Sequence, residues 1–544
     1  MNKIITVLFI CLLLSSCSKQ ENADLPVNNG FLKVIEVKID EKTITENPKN
    51  ISLSPEFLIN FDDAVNEQSA NNAIELLING RKTELIITYS NNNQSIFVKP
   101  KDELLSFTNY TFVIRNILTS NNGKKMNQEL SYLITTGIDN KDKYERIDSE
   151  ALLTKVQRHT FAYFWDFAHP SYGMIRERNT SAEIVTTGGT GFGLMAILVG
   201  IERGFITKEQ GLERTKNIVS FLQKADTYHG AFSHWYNGST AKTIAFSTKD
   251  NGADLVETSL LFQGLLTTRT YFDDADLNNA ITTLYNAVEW NYFRNNHQGL
   301  FWHWSTEYSW DMNLKITGWN EALITYILAA GSPTYGIDIQ DYEQGWARNG
   351  AIKNGANYYN IALPLGSDKG GPLFLSQYTF LGINPFGLED QYANYELQVK
   401  NHALINRSYC IANPKNYIGY SGNCWGLTAS DNITGYQAHS PTNDNGVIAP
   451  TAALSSIAYT TQESLQALEF FYYKLGDRIF GTYGFKDAFS LDYPWFADSY
   501  LAINQGPIII GIENYRSGLL WNHLMQAPEI KNALIKLKFT SPYL

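Results

Sequence analysis

The sequence predicts a two-part protein: a small all-β sandwich followed by a large, mainly α domain, for which an α/α toroid is one arrangement. Three observations carry this. Between residues 30 and 138, short β-prone segments alternate with Asn, Gly, Pro and Asp. The stretch "IDNKDKYERID" (Ile138–Asp148) is charged and reads as a linker. From residue 144 to about 540, apolar positions recur at helical spacing with no sustained βαβ alternation. The length agrees, because 544 residues exceed one typical domain and 44% hydrophobic residues suit a large core.

The first element is "MNKIITVLFICLLLSSCSKQEN", with Lys3, a short apolar run, then small residues ending at Cys17. The run is too short to cross a membrane as a mature helix and reads as an export signal. Its L-S-S-C ending resembles a bacterial lipobox. That implies a signal peptide over 1–17, cleavage before Cys17 and lipid on its thiol. A polar tether follows over 18–29. The expected product is an exported lipoprotein of the outer membrane, facing the periplasm or the cell surface. Cys11 would leave with the signal. Cys410 and Cys424 remain, either as a disulfide or as two buried thiols.

The strand region follows, with "FLKVIEVKI", "ISLSPEFLINF", "IELLING", "TELIITYS", "QSIFVKP", "NYTFVIRNI" and "LSYLITTG" separated by turn residues. It resembles bacterial immunoglobulin-like modules. It holds no acidic pair or His cluster, so a spacer or docking role is expected.

The helical part opens with "SEALLTKVQRHTFAYFWDFA", capped by Ser149, and continues through segments joined by loops rich in Gly, Trp, Tyr and Asn. A net charge of -11 excludes nucleic acid as a natural partner. Aromatics reach 13%, including 11 Trp and 32 Tyr, and such rings offer flat faces on which sugars stack.

In "KDNGADLVETSLLFQGLL", Asp250, Asp254 and Glu257 fall at i, i+4 and i+7. Asp254 reads as an N-cap with Glu257 at N3, a capping-box-like pair, and that account does not need Asp250. A second acid, Glu321, follows Gly318-Trp319-Asn320, with Thr317 as the expected cap. A carboxyl beside an indole is partly desolvated and suits a general acid. Both segments follow aromatic loops, "SHWYNGST" with Trp235 and "LFWHWSTEYSWD" with Trp302, Trp304 and Trp310. Carboxyls with stacking platforms around one opening are what glycoside hydrolysis needs. Asp487 and Gln505 lie in a third region, where Glu513 is expected to pair with Arg516; Glu389 and Asp390 lie in an exposed-looking loop. "TTGGTGFG" (Thr186–Gly193) reads as a tight turn lining a cleft rather than a dinucleotide loop. His is scarce and metal-ligand spacings are missing, so neither metal nor cofactor is expected.

The segments "TTGGTGFGLMAILVGIERGFI", "DNGADLVETSLLFQGLL", "ITGWNEALITYILAAGSP", "GGPLFLSQYTFLGINP", "CWGLTASD" and "NQGPIIIGIENYRSGLLW", in this order, resemble the glycoamylase-like glycoside hydrolases, in particular the bacterial β-1,2-glucanases. The resemblance implies a six-hairpin α/α toroid and inverting hydrolysis of β-1,2-glucan or sophoro-oligosaccharides; a monomer is expected. It puts the general acid at Glu321 and makes Asp250, Asp254 and Glu257 important in the cleft, with the base left among these acids and Asp487. Trp235, Trp304, Trp319, Trp425 and Gln505 are the expected sugar contacts. Two other readings stay open: a different β-glucan linkage, and a non-catalytic surface glycan-binding lipoprotein.

Overall fold

The computed structural model describes residues 30–44 and 47–544. The export signal, the Cys17 lipobox and the tether lie outside the described residues. Contact density divides the chain into two units, meeting at Gly137 and Ile138.

The first unit is a sandwich of two antiparallel sheets. The strands are β1 (Val34–Ile39), β2 (Lys42–Thr43), β3 (Phe57–Phe61), β4 (Ile74–Ile78), β5 (Arg81–Lys82), β6 (Leu85–Ser90), β7 (Ser95–Pro100), β8 (Asn109–Ile114) and β9 (Leu130–Thr135), with α1 (Glu67–Ala73) between β3 and β4. One sheet runs β2-β1-β3-β7-β6 and the other β5-β4-β8-β9. Alternate side chains face inward, as the two-residue strand period requires. Phe57, Ile59 and Phe61 of β3 are buried while Leu58 and Asn60 are not. Phe57 meets Phe112 of the other sheet with ring centroids 4.1 Å apart.

The second unit is helix-rich. Its longer helices are α2 (Ser149–Trp165), α3 (Thr187–Glu202), α4 (Lys208–Leu222), α5 (Leu255–Tyr271), α6 (Ala275–Asn286), α7 (Leu323–Gly331), α8 (Tyr395–Ala412), α9 (Thr461–Glu469), α10 (Ala502–Ser517) and α11 (Pro528–Lys536). Short two-stranded hairpins fill the connections. At the centre, α3 lies against α5 and α10, and α10 also packs on α2. Every residue of α3 from Thr187 to Gly200 is buried, as is every residue of α5 from Leu255 to Thr268. Helices buried on all sides form the inside of a large core.

The glycine-rich stretch from Thr186 is not a turn. It is the first half of α3, and its glycines serve close packing. A Cβ on Gly191 would stand 2.1 Å from the Leu260 carbonyl oxygen, and one on Gly264 2.1 Å from the Gly191 oxygen. Two backbones touch there because no side chain separates them. Glu513 on α10 pairs with Arg203 at 2.5 Å, not with Arg516, which meets Glu150 at 3.1 Å. Cys410 and Cys424 are buried free thiols. Asp390 is held by the Tyr342 and Tyr395 hydroxyls, while Glu389 is exposed.

Candidate active site

The head of α5 gathers three carboxylates and two imidazoles. Asp254 is the N-cap: Oδ1 accepts from the Val256 N–H at 3.0 Å and the Glu257 N–H at 2.9 Å. Its Oδ2 lies 3.1 Å from His234 Nδ1 and 3.3 Å from His303 Nε2. Glu257 does not close a reciprocal capping box. It turns away, and its Oε2 accepts the Gly188 N–H at 2.7 Å, which the α3–α5 contact brings within reach. Glu257 Oε1 is left 3.9 Å from His234 Nε2. Asp250 Oδ2 approaches His303 Nε2 at 3.2 Å and His234 Nδ1 at 3.8 Å. All three acids are buried.

Local pairing sets these positions. The strand Ala253–Asp254 pairs with His303–Trp304, so His303 stands directly opposite Asp254. His234 precedes the strand Trp235–Asn237, which pairs with Ile184–Thr186 at the entrance to α3. Phe246 stacks on the His234 ring at 4.2 Å.

The electrostatics follow from this packing. Burial works against the His234 and His303 imidazolium ions, but the carboxylates around them prevail. Glu257, Asp254 and Asp250 lift His234 to about 9, and Asp254 and Asp250 lift His303 to about 10. Burial would raise Asp254, yet His303 and His234 hold it well below the usual carboxylate range. Glu257 moves the other way: burial raises it, and Asp254 adds to the rise. His234, Asp250 and Asp254 place donor atoms within 4.8 Å of one another, a spacing that would admit a cation. Protons on the two imidazoles satisfy the same oxygens, and charge pairing accounts for the cluster as it stands.

Glu321 sits two residues ahead of α7, and its segment is set differently from the sequence expectation. Thr317 does not cap; its hydroxyl donates to the Gly345 carbonyl. Asn320 Oδ1 accepts from Ala322 N–H instead, and the Glu321 carbonyl accepts from Thr379 Oγ1 at 2.7 Å. The Glu321 side chain is recessed but still partly accessible. Desolvation raises it to about 7, with Asp254 and Glu257 pushing the same way.

Asp487 is buried, with Oδ1 accepting from Asn504 Nδ2 and Oδ2 from the Asp431 N–H, both at 2.7 Å. Burial raises it to about 7. Burial first, then the fields of Tyr436, Glu321, Glu257 and Asp487, hold the Tyr378 phenol well above its ordinary value. The fields of Asp487, Glu257 and Glu321 thus all reach one phenol.

Trp235 and Trp304 are partly exposed beside the cluster, Trp235 edge-on to His234 and Phe246, Trp304 opposite Ala253. Trp319 is almost wholly buried among Trp346, Phe380 and Tyr395. Trp425 is fully buried, its indole N–H directed to the Glu463 carbonyl. Gln505 is buried and donates to the Phe485 carbonyl at 2.7 Å. These last three offer a ligand no free face; their aromatic or amide groups serve the core. His234, His303 and Tyr378 escape a spacing argument because they converge from separate loops. The one sequence signal for the histidines is that each sits beside a Trp in an aromatic loop.

Residues 313–528 match the glycoamylase family model, described as "putative glucoamylase", and residues 34–136 match the bacterial Ig-like domain model. The endo-β-1,2-glucanase of Chitinophaga pinensis, solved with sophorotriose and glucose, is 51% identical. The match covers 73% of this chain and 100% of that one, with a TM-score of 0.72. The chain belongs to the glycoamylase-like family. Within this family, the β-1,2-glucanase of Parabacteroides distasonis is 36% identical over 93% of this chain and 73% of that one, with a TM-score of 0.70. A curated relative from the same organism, an exo β-1,2-glucooligosaccharide sophorohydrolase acting at the non-reducing end, is 44% identical over 417 residues, or 72% of this chain. The chain spans 58% of that relative's length.

Proposed function

We propose that this glycoamylase-like protein hydrolyses β-1,2-glucan or sophoro-oligosaccharides with inversion at the anomeric carbon, on a six-hairpin α/α toroid. One observation carries the reading: two imidazoles at 3.1 and 3.3 Å hold Asp254 as an anion, within electrostatic reach of a desolvated Glu321 raised to about 7. A site with acids driven to opposite proton states can donate a proton and stabilise positive charge together. Relatives named for β-1,2-glucan cleavage supply the linkage.

Glu321 protonates the glycosidic oxygen as the bond to the anomeric carbon breaks. Water attacks from the opposite face and must lose a proton. Asp254 is a poor acceptor, since four donors already engage its two oxygens. Asp487 is raised and also bound at both oxygens. Glu257 is the better base: one oxygen is anchored by Gly188, the other remains toward His234, and its proton affinity is raised. His234 and His303 keep the neighbouring acids ionised. An inverting pair needs about 6.5–9.5 Å between carboxyls to hold the water, a gap to be spanned here between Glu257 and Glu321. Trp235 and Trp304 are the sugar platforms.

The test is a time course of products from β-1,2-glucan, with the new anomer read by NMR. Inverted reducing ends support the proposal; retained configuration or no new reducing ends would end it. The same proposal includes export as a monomeric lipoprotein anchored through Cys17 in the outer membrane. Labelled palmitate incorporation that vanishes in Cys17→Ala, with size-exclusion of the soluble form, tests that part.

A further inference from the structure

A second concavity lies beside the buried Asp487. It encloses about 590 Å³, within the ~300–1,000 Å³ range of small-ligand sites. Its walls come from three separate segments. The hairpin Ala429–Asn432 with Gly435–Ala438 supplies Asp431 and, directly across the ladder, Tyr436. The hairpin Phe489–Ser490 with Trp495–Phe496 supplies Trp495 and Phe496. Arg178 and Ser499 close the polar side.

This lining is polar at one edge and aromatic at the other. Arg178 Nη1 lies 3.2 and 3.3 Å from the two Asp431 carboxylate oxygens, and Ser499 Oγ donates to Asp431 Oδ2 at 2.5 Å. Glu177 holds Arg178 from the other side, at 2.8 Å to Nε and 3.2 Å to Nη2, which fixes the guanidinium; Arg178 is 30% exposed and Asp431 16%. Tyr436 is 52% exposed. Yet desolvation is the chief force raising its phenol, with Asp487 and Asp431 adding to it. Its ring lines the concavity. A fixed guanidinium–carboxylate pair offers donors and an acceptor in one plane to vicinal hydroxyls, and flat rings beside it take the apolar face of a pyranose.

The concavity adjoins Asp487, one of the candidate acids, whose Oδ2 accepts the Asp431 N–H at 2.7 Å. We propose that this groove is a saccharide-binding site that seats glucosyl units remote from the bond being cleaved, with Trp495 and Tyr436 as platforms and Arg178–Asp431 as the hydroxyl clamp. The proposal rests on the hydrolase reading for its ligand class, a β-1,2-linked gluco-oligosaccharide.

The test uses the full chain carrying Glu321→Gln, so that ligand survives, titrated with a long sophoro-oligosaccharide by calorimetry. Adding Trp495→Ala or Tyr436→Ala is expected to weaken binding about tenfold each, the scale of one lost stacking platform. Tyr436→Phe, which keeps the ring, is expected to restore most of it. Tyr436 stands on an exposed hairpin, so its variants carry the test should Trp495→Ala unfold. Unchanged affinity in both alanine variants overturns the groove, as does a parent that fails to bind the oligosaccharide. If the groove binds but the wild-type chain releases no new reducing ends, the hydrolase reading falls and the groove stands.

Discussion

Glu321→Gln removes one proton and little else. The two side chains share shape, and the Glu321 contact to Thr379 runs through the main-chain carbonyl, which the substitution leaves in place. At pH 7, a carboxyl with the ordinary value of 4.5 carries its proton about 0.3% of the time; raised to about 7, it carries it about half the time. Desolvation of this carboxyl thus supplies on the order of a hundredfold in the reactive form. Losing a general acid typically costs ~10²- to 10⁴-fold in rate. Turnover of β-1,2-glucan, read as new reducing ends, is expected to fall by that range with little change in KM. An aryl sophoroside, whose leaving group needs no proton, should retain far more of its rate. The wild-type kcat/KM should decline as pH rises through about 7, where the acid loses its proton, and the variant should lack that limb. Wild-type turnover of β-1,2-glucan by the variant would refute the assignment.

Asp487 gives a stability test. Its folded value is near 7 against 3.8 unfolded, so the native state binds the extra proton and stability falls as pH rises from about 4 to about 7. The fall is on the order of 4 kcal/mol. Asp487→Asn should flatten that slope in denaturant titrations; an unchanged slope rejects the desolvation account. His303 has the same sense in a higher window: its folded value is about 10 against 6.5, so its contribution is whole below pH 6.5 and lost as pH rises through about 10. The melting-temperature gap between wild type and His303→Gln should therefore be widest in acid and close toward pH 10. Gly191→Ala drives a methyl into the Leu260 carbonyl, a clash costing upward of ~1–3 kcal/mol. Calorimetric melting should drop, and kcat should fall with it as the Gly188 contact to Glu257 opens.

The cap at Asp254 was legible because it is local: an acid, two residues, another acid, then an apolar run. The sandwich was legible for the same reason, through its two-residue period. Glycine misled at Thr186–Gly193, since its low helix propensity argues for a turn, and only the partner helix, some seventy residues away in sequence, explains a helix made of it. The Glu321 segment failed on its cap because Thr317 found a distant carbonyl. Trp319 and Trp425 show that an indole's identity does not say which way it faces. His234 and His303 needed the strand pairings, which bring residues from three segments onto one carboxylate.

Asp254 holds two posts through its two oxygens, one starting α5 and the other neutralising the imidazoles. An inactive alanine at this position would therefore say nothing about chemistry, because the scaffold under Glu257 loosens in the same stroke. Selection meets the same knot. Only a substitution that keeps a cap oxygen, such as Asp254→Asn, can give up the charge without loosening the start of the helix.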